Sequence, residues 1–90
     1  MEILFNSDKF YVGDVEKPHA FIGYRQEGNI WYWEHTQVDP SLQGQGVAGQ
    51  LAKRFVEEAE KSKVKIVAHC PYGIGYFKRK PQYQHLLKDH

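Results

Sequence analysis

The sequence predicts an α+β domain: an antiparallel β-meander, then one β-α-β unit, then terminal helices. Three observations carry this. Apolar residues alternate with period two from the start of the chain to about Val38. After Asp39-Pro40-Ser41 the period becomes helical, with Val47, Ala48, Leu51, Ala52, Phe55 and Ala59 on one stripe. A short apolar run from Val64 to His69 follows, and Pro71 suits the first position of another helix.

Each element has its own signal. Phe10 and Val12 alternate with Lys9 and Tyr11, and Ala20, Ile22 and Tyr24 alternate with Phe21, Gly23 and Arg25. Asp14 to Pro18 and Gln26-Glu27-Gly28-Asn29 read as turns. Ile30 to Val38 reads as a third, aromatic-rich strand on which Trp31, Trp33 and His35 share a face. Short connections between these strands predict antiparallel pairing. The helix beginning at Val47 turns Gln50, Lys53, Arg54, Glu57, Glu58 and Lys61 to solvent. A strand, a helix and a strand in succession predict a right-handed crossover, so Val64–His69 runs parallel to Ile30–Val38. The tail predicts a helix from Pro71 to about Arg79, weakened by Gly73 and Gly75, and a short helix over Gln82 to Lys88 after Pro81.

Ninety residues make one domain with one core. The net charge of +1 lacks the cationic excess that phosphate neutralisation asks of a nucleic-acid binder. The single cysteine, Cys70, excludes an internal disulfide framework and zinc sites that need two or four cysteines, so no metal is expected. It fits a reducing, cytoplasmic setting. Met1-Glu2-Ile3-Leu4-Phe5 lacks a basic region before an apolar run, so no signal peptide is expected. No apolar stretch reaches membrane-spanning length, and no membrane partner is expected.

The strongest chemical signal is Gln43-Gly44-Gln45-Gly46-Val47-Ala48-Gly49, between a strand and a helix. Glycines let a backbone turn tightly and approach a ligand closely. The free N–H groups and positive dipole end of the helix then favour a phosphate or pyrophosphate. A plain glycine turn that starts a helix is the simpler reading of the same residues. Gly44-x-Gly46-x-x-Gly49 also fits the dinucleotide fingerprint, but the next strand ends in His69-Cys70 and not in the acid that would hold a ribose. No Gly-Lys-Ser/Thr follows the turn, so a Walker A loop is absent.

His35-Thr36-Gln37-Val38, Gln43-x-x-Gly46-x-Ala48, Cys70-Pro71-Tyr72 and Tyr76-Phe77-Lys78-Arg79-Lys80-Pro81-Gln82-Tyr83 occur in this order along the chain. Together they resemble the signature of a small single-domain subfamily of the GNAT acyl-CoA N-acyltransferases, over nearly the whole chain. The chain departs from that pattern where Gln37 stands for an acid, Gln43 for Arg, Lys80 for His, and Gly73 and Gly75 for better helix formers. The resemblance implies a minimal GNAT fold whose two parallel strands splay apart around the pantetheine of acetyl-CoA or coenzyme A. It implies that the pyrophosphate sits on Gln43, Gly44, Gln45, Gly46, Val47, Ala48 and Gly49. It further implies that a neutral amine attacks the thioester directly while the backbone N–H near Val38 polarises the carbonyl. His35 or water would take the proton, and Cys70 or Tyr76 would assist the leaving thiolate; passage of the acetyl group through Cys70 is a second route. The acceptor is a small-molecule or protein amine, and oligomeric state is left open.

Several of these residues carry two readings. Cys70 is either a sulfur near the thioester, where a helix N-terminus favours its anion, or a small buried hydrophobe. His35 is a base or a strand residue bonded to a neighbour. Tyr76 is a general acid or a core aromatic. Trp31 and Trp33 line an acceptor groove, stack on bases or fill the core. Two other classes therefore stay open at this stage, an acyl-CoA-binding module without catalysis and an aromatic-faced nucleic-acid binder.

Overall fold

The computed structural model describes residues 2–88; Met1, which opens the N-terminal reading above, lies outside them. Five strands form one sheet in sequence order: β1 (Leu4–Phe5), β2 (Lys9–Gly13), β3 (Pro18–Glu27), β4 (Ile30–Val38) and β5 (Lys65–Ala68). The first four pair antiparallel, and β5 runs parallel to β4. Between β4 and β5 come a 3-10 turn, Pro40–Leu42, and helix α1 (Val47–Lys61). Helix α2 (Pro71–Arg79) and a 3-10 segment, Pro81–Leu86, end the fold. This is the expected α+β architecture.

The meander differs from expectation in two places. The β3–β4 hairpin is tighter than read from sequence: Gln26 and Glu27 stay in β3, Glu27 pairs with Ile30, and Gly28-Asn29 alone makes the turn. Two-residue turns suit the right-handed twist of adjoining strands, and glycine meets their backbone demand. Strand β1 has no alternation long enough to announce it. Phe5 stacks on Phe10 of β2 with ring centres 4.7 Å apart, which holds this edge in place.

Helix α1 lies across the sheet and buries Val47, Leu51, Ala52, Phe55, Val56 and Ala59. The predicted stripe is right except that Val56 joins it and Ala48 is half-buried. Phe55 is the centre of the aromatic core, with ring centres 5.0–5.6 Å from Phe10, Tyr24, Trp31 and Trp33. Full burial of one such side chain contributes roughly 1.5–3 kcal/mol. Trp33 is wholly buried and Trp31 nearly so, which withdraws both from any groove or base-stacking face. Strand β5 is less buried than its sequence suggests. Only Ile66 is fully enclosed, and Leu87 bridges it in parallel and covers part of the outer edge.

Helix α2 packs on the same layer as α1. Trp33 meets Tyr76 and Phe77 at ring-centre distances of 5.9 and 6.0 Å. Gly73 explains its own place in this helix: a Cβ there would sit 2.9 Å from Trp33 Cδ2. The helix can rest on the indole only because that position has no side chain. Gly73→Ala should therefore lose about 1 kcal/mol in urea denaturation, since overpacking outweighs the gain in helix propensity. Gly75→Ala, whose Cβ would meet only the mobile end of Arg79, should be neutral or stabilising in the same measurement. Equal effects at the two positions would contradict this packing.

Candidate active site

Strand β4 has one residue more than β3 can pair. Gly23 faces His35 and Tyr24 faces Trp33, so Glu34 is a bulge. The extra residue reverses the alternation of side chains along the strand. Before it, Trp31 and Trp33 face the helices; after it, Thr36 does, because its Oγ1 accepts a hydrogen bond from Trp33 Nε1 at 2.7 Å. His35 falls on the opposite, open face and is exposed, beside Gly23. The expectation that His35 shares a face with the two tryptophans is thus corrected.

The bulge coincides with the point where the parallel strands part. Pairing of β4 with β5 ends at Trp33 and Ala68, and the Trp33 carbonyl then accepts from both His69 N and Cys70 N, at 2.9 and 3.2 Å. Glu34 holds this fork from outside through His69 Nδ1, 2.8 Å from its Oε1. Beyond the fork β4 continues to Val38 while the other chain turns into α2. Asp39 N donates to His19 O on the β3 side, so the Val38 amide, one residue earlier, points the other way, into the gap.

A cleft of roughly 360 Å³ opens at that gap, lined by Val38, Leu42, Gln43, Gly44, Gly46, Val47, Ala48, Gly49 and Tyr72. Seven of the eight residues expected to hold the cofactor line it. The eighth, Gln45, turns away: its Nε2 donates to Ser41 O at 3.4 Å and its amide to Leu42 O. Gly44 and Gly46 have φ of +85° and +74°, left-handed values that a β-branched residue resists. Beyond the adjoining residues, no atom lies within 4 Å of a Cβ built on either, so the space beside both glycines is open. Gly46 is the N-cap of α1 and has no side chain to satisfy the first-turn amides, and no acidic residue stands in that turn. The first turn of α1 thus has neither a side-chain cap nor an acidic side chain, the arrangement in which helix N-termini bind anions.

Cys70 is nearly buried at the N-cap of α2. Its Sγ accepts from Gly73 N at 3.2 Å and lies 3.2 Å from Thr36 Oγ1. Thr36 is two residues from Val38 on the helix-facing side of β4, and Gly73 follows the cleft residue Tyr72, so the sulfur lies behind residues that adjoin the cleft and does not itself line it. Tyr76 does not reach it by the same route. It is part of the core under Trp33, Tyr72 and Tyr83, and burial pushes its phenol up to about 12, with Tyr83, Tyr72 and Glu57 adding to the rise. Tyr72, and not Tyr76, presents a phenol to the cleft. Sequence reasoning missed Tyr72, Leu42 and Thr36 as site residues, although Tyr72 and Thr36 lie in the blocks that carry the resemblance.

The match to known proteins now has a geometry to explain it. The family model described as GCN5-related N-acetyl-transferase matches residues 9–86. The chain belongs to that family. Its activity is accordingly N-acetyl transfer to an amine. A candidate GCN5-like N-acetyltransferase from Staphylococcus aureus, known from its solution structure, is 35% identical. The match covers 96% of this chain and 86% of that one, with a TM-score of 0.79. Tetrahymena GCN5 shares the fold at 18% identity and a TM-score of 0.63, over 91% of this chain and 61% of that one. No curated protein matches significantly. Among the described residues no helix is long and apolar enough to cross a membrane, and no group of three or more His, Cys, Asp or Glu is placed to hold a metal.

The phenol of Tyr76 gives the N-acetyltransferase domain a measurable pH signature. In the unfolded chain it ionises near 10.0 and in the folded one near 12. Above pH 10 the unfolded state therefore binds fewer protons than the folded state, and stability falls as pH rises through that window. Tyr76→Phe should flatten the fall in urea midpoints between pH 10 and about 12, while Tyr24, also raised by burial, keeps its own share. An unchanged slope would show that Tyr76 is not enclosed as described.

Proposed function

We propose that the protein transfers the acetyl group of acetyl-CoA to an amine by direct attack, with the CoA pyrophosphate held by the Gln43–Gly49 turn. The observation that supports this most is the uncapped start of α1, open beside two left-handed glycines, in a cleft that it shares with Val38 at the end of β4 and Tyr72 of α2. The fit is by backbone: the amides of the first turn of α1 would bind the phosphate oxygens, and Leu42, Val47 and Tyr72 would flank the chain that follows. When bound, acetyl-CoA supplies an activated acetyl thioester.

The remaining chemistry belongs to the protein. The Val38 N–H would donate to the carbonyl oxygen as it gains negative charge, the kind of contact that is worth most in a site closed to water. A neutral amine would attack the carbonyl carbon, and water would carry away its proton. Cys70 or Tyr72 would give a proton to the departing sulfur. His35, on the other face of the sheet, and Tyr76, in the core, have no direct part in this scheme. The cytoplasm remains the expected setting for a free, nearly buried thiol.

Calorimetric titration tests the assignment of the cleft. CoA and acetyl-CoA should bind and nicotinamide dinucleotides should not. Gly46→Val should weaken CoA binding more than tenfold in a chain that still folds, because a branched side chain at a left-handed position strains the turn and fills its open side. Unchanged affinity in a folded Gly46→Val protein would move the pyrophosphate elsewhere.

A further inference from the structure

We propose that Thr36 is the positioning residue of this enzyme: it holds Cys70 behind the cleft residues Val38 and Tyr72 and steadies the sulfur as it gives up its proton. The inference rests on the reading of the cleft as the acetyl-CoA site, and it assigns Cys70 the proton that the departing thiolate takes. It starts from three hydrogen bonds, two of them of fixed direction. An indole N–H can only donate, so Thr36 Oγ1 is the acceptor of the 2.7 Å bond from Trp33. Thr36 Oγ1 and Cys70 Sγ are 3.2 Å apart and either could donate; in the proposed arrangement the Thr36 hydroxyl hydrogen is directed at the sulfur. Gly73 N donates to the same sulfur at 3.2 Å. In that arrangement Trp33 donates to Thr36, Thr36 donates to Cys70, and α2 donates from the other side.

A sulfur that accepts twice keeps its own hydrogen directed away from both donors. When Cys70 passes that proton to the sulfur of CoA, the S–H bond of Cys70 breaks and the S–H bond of CoA forms. The negative charge moves from the CoA sulfur to Cys70, where two donors are already aimed at it. The proton lost by the attacking amine then returns to Cys70 through water, so one turnover moves one proton from amine to CoA and leaves the enzyme unchanged. Hydrogen bonds to ionised groups are stronger than neutral ones, so the network favours the charged sulfur over the neutral one.

The network also explains a residue of the fold. Trp33 is wholly buried, yet its polar N–H is satisfied, and the group that satisfies it is Thr36. Only the bulge at Glu34 brings Thr36 to that face. Gly73 can donate to the sulfur only because a bare Cα lets α2 settle on the indole.

Alkylation of Cys70 by iodoacetamide, followed by intact mass near neutral pH, reads the state of the sulfur without any acceptor amine. Thr36→Val keeps the shape and removes the donor. It should slow alkylation roughly tenfold, leave CoA affinity within about twofold by calorimetry, and be rescued by Thr36→Ser. A merely structural threonine would not be rescued by the hydroxyl alone. Should Thr36→Val fold poorly, the Thr36→Ala and Thr36→Ser pair makes the same comparison. An unchanged rate in Thr36→Val, or a slow rate that Ser does not restore, would overturn the proposal. Absence of CoA binding by the wild-type protein is a different failure: it would overturn the reading of the cleft and the catalytic use of Thr36, while the alkylation difference would still stand as a property of the sulfur.

Discussion

The extra residue in β4 decides which side chains reach the site. A two-residue period is rigid: without an insertion, every side chain after Trp33 keeps its phase. With Glu34 unpaired, the strand arrives at the fork with Thr36 toward the helices and His35 away from them. The same residue reaches His69 across the end of β5, so the phase change and the parting of the strands occur at one place. A gap between parallel strands would ordinarily leave unsatisfied backbone groups. At the start of this gap the Trp33 carbonyl takes two amides from the departing chain, and further along the amide of Val38 is left facing the cleft.

The cleft and the sulfur are held by the same aromatic layer. Phe55 of α1 and Trp33 of β4 pack at 5.0 Å, and Trp33 in turn supports the first turn of α2 at Gly73. The two helix starts that bound the site, Gly46 of α1 and Cys70 of α2, are therefore fixed through one indole. They differ in chemistry. The first has no side chain to cap it and faces open space, which suits a bound anion. The second is capped by its own sulfur, which takes the Gly73 amide. One helix start is uncapped and open, and the other is closed by its own buried sulfur.

Much of this was legible before any coordinates. The helix stripe from Val47 to Ala59, the turn at Gln43–Gly49 and the start of α2 at Pro71 follow from local rules of periodicity and capping, and tertiary packing had no reason to overrule them. The side chains of the site were less legible because they depend on phase. Trp31 and Trp33 are odd-numbered and Val38 is even, so one apolar face cannot include all three in a regular strand; that mismatch was the sequence trace of the bulge. Assigning His35 to the tryptophan face ignored it. Tyr72 and Tyr76 lie four apart on one helix, and only the tilt of α2 on Trp33 decides which phenol meets the cleft and which is enclosed. Gly73 looked like a weak point of a helix and is a point of close packing, which no propensity scale contains.

The central claim is that the fork of β4 and β5, together with the open start of α1, forms one continuous CoA site. Backbone amide resonances followed during titration of CoA into the labelled protein test it most directly. The account predicts that the largest shifts fall on Val38, on Gly46 through Gly49, and on Tyr72 and Gly73, with Gly23 and His35 on the open face unmoved. Shifts concentrated on the open face, with the first turn of α1 unchanged, would contradict it.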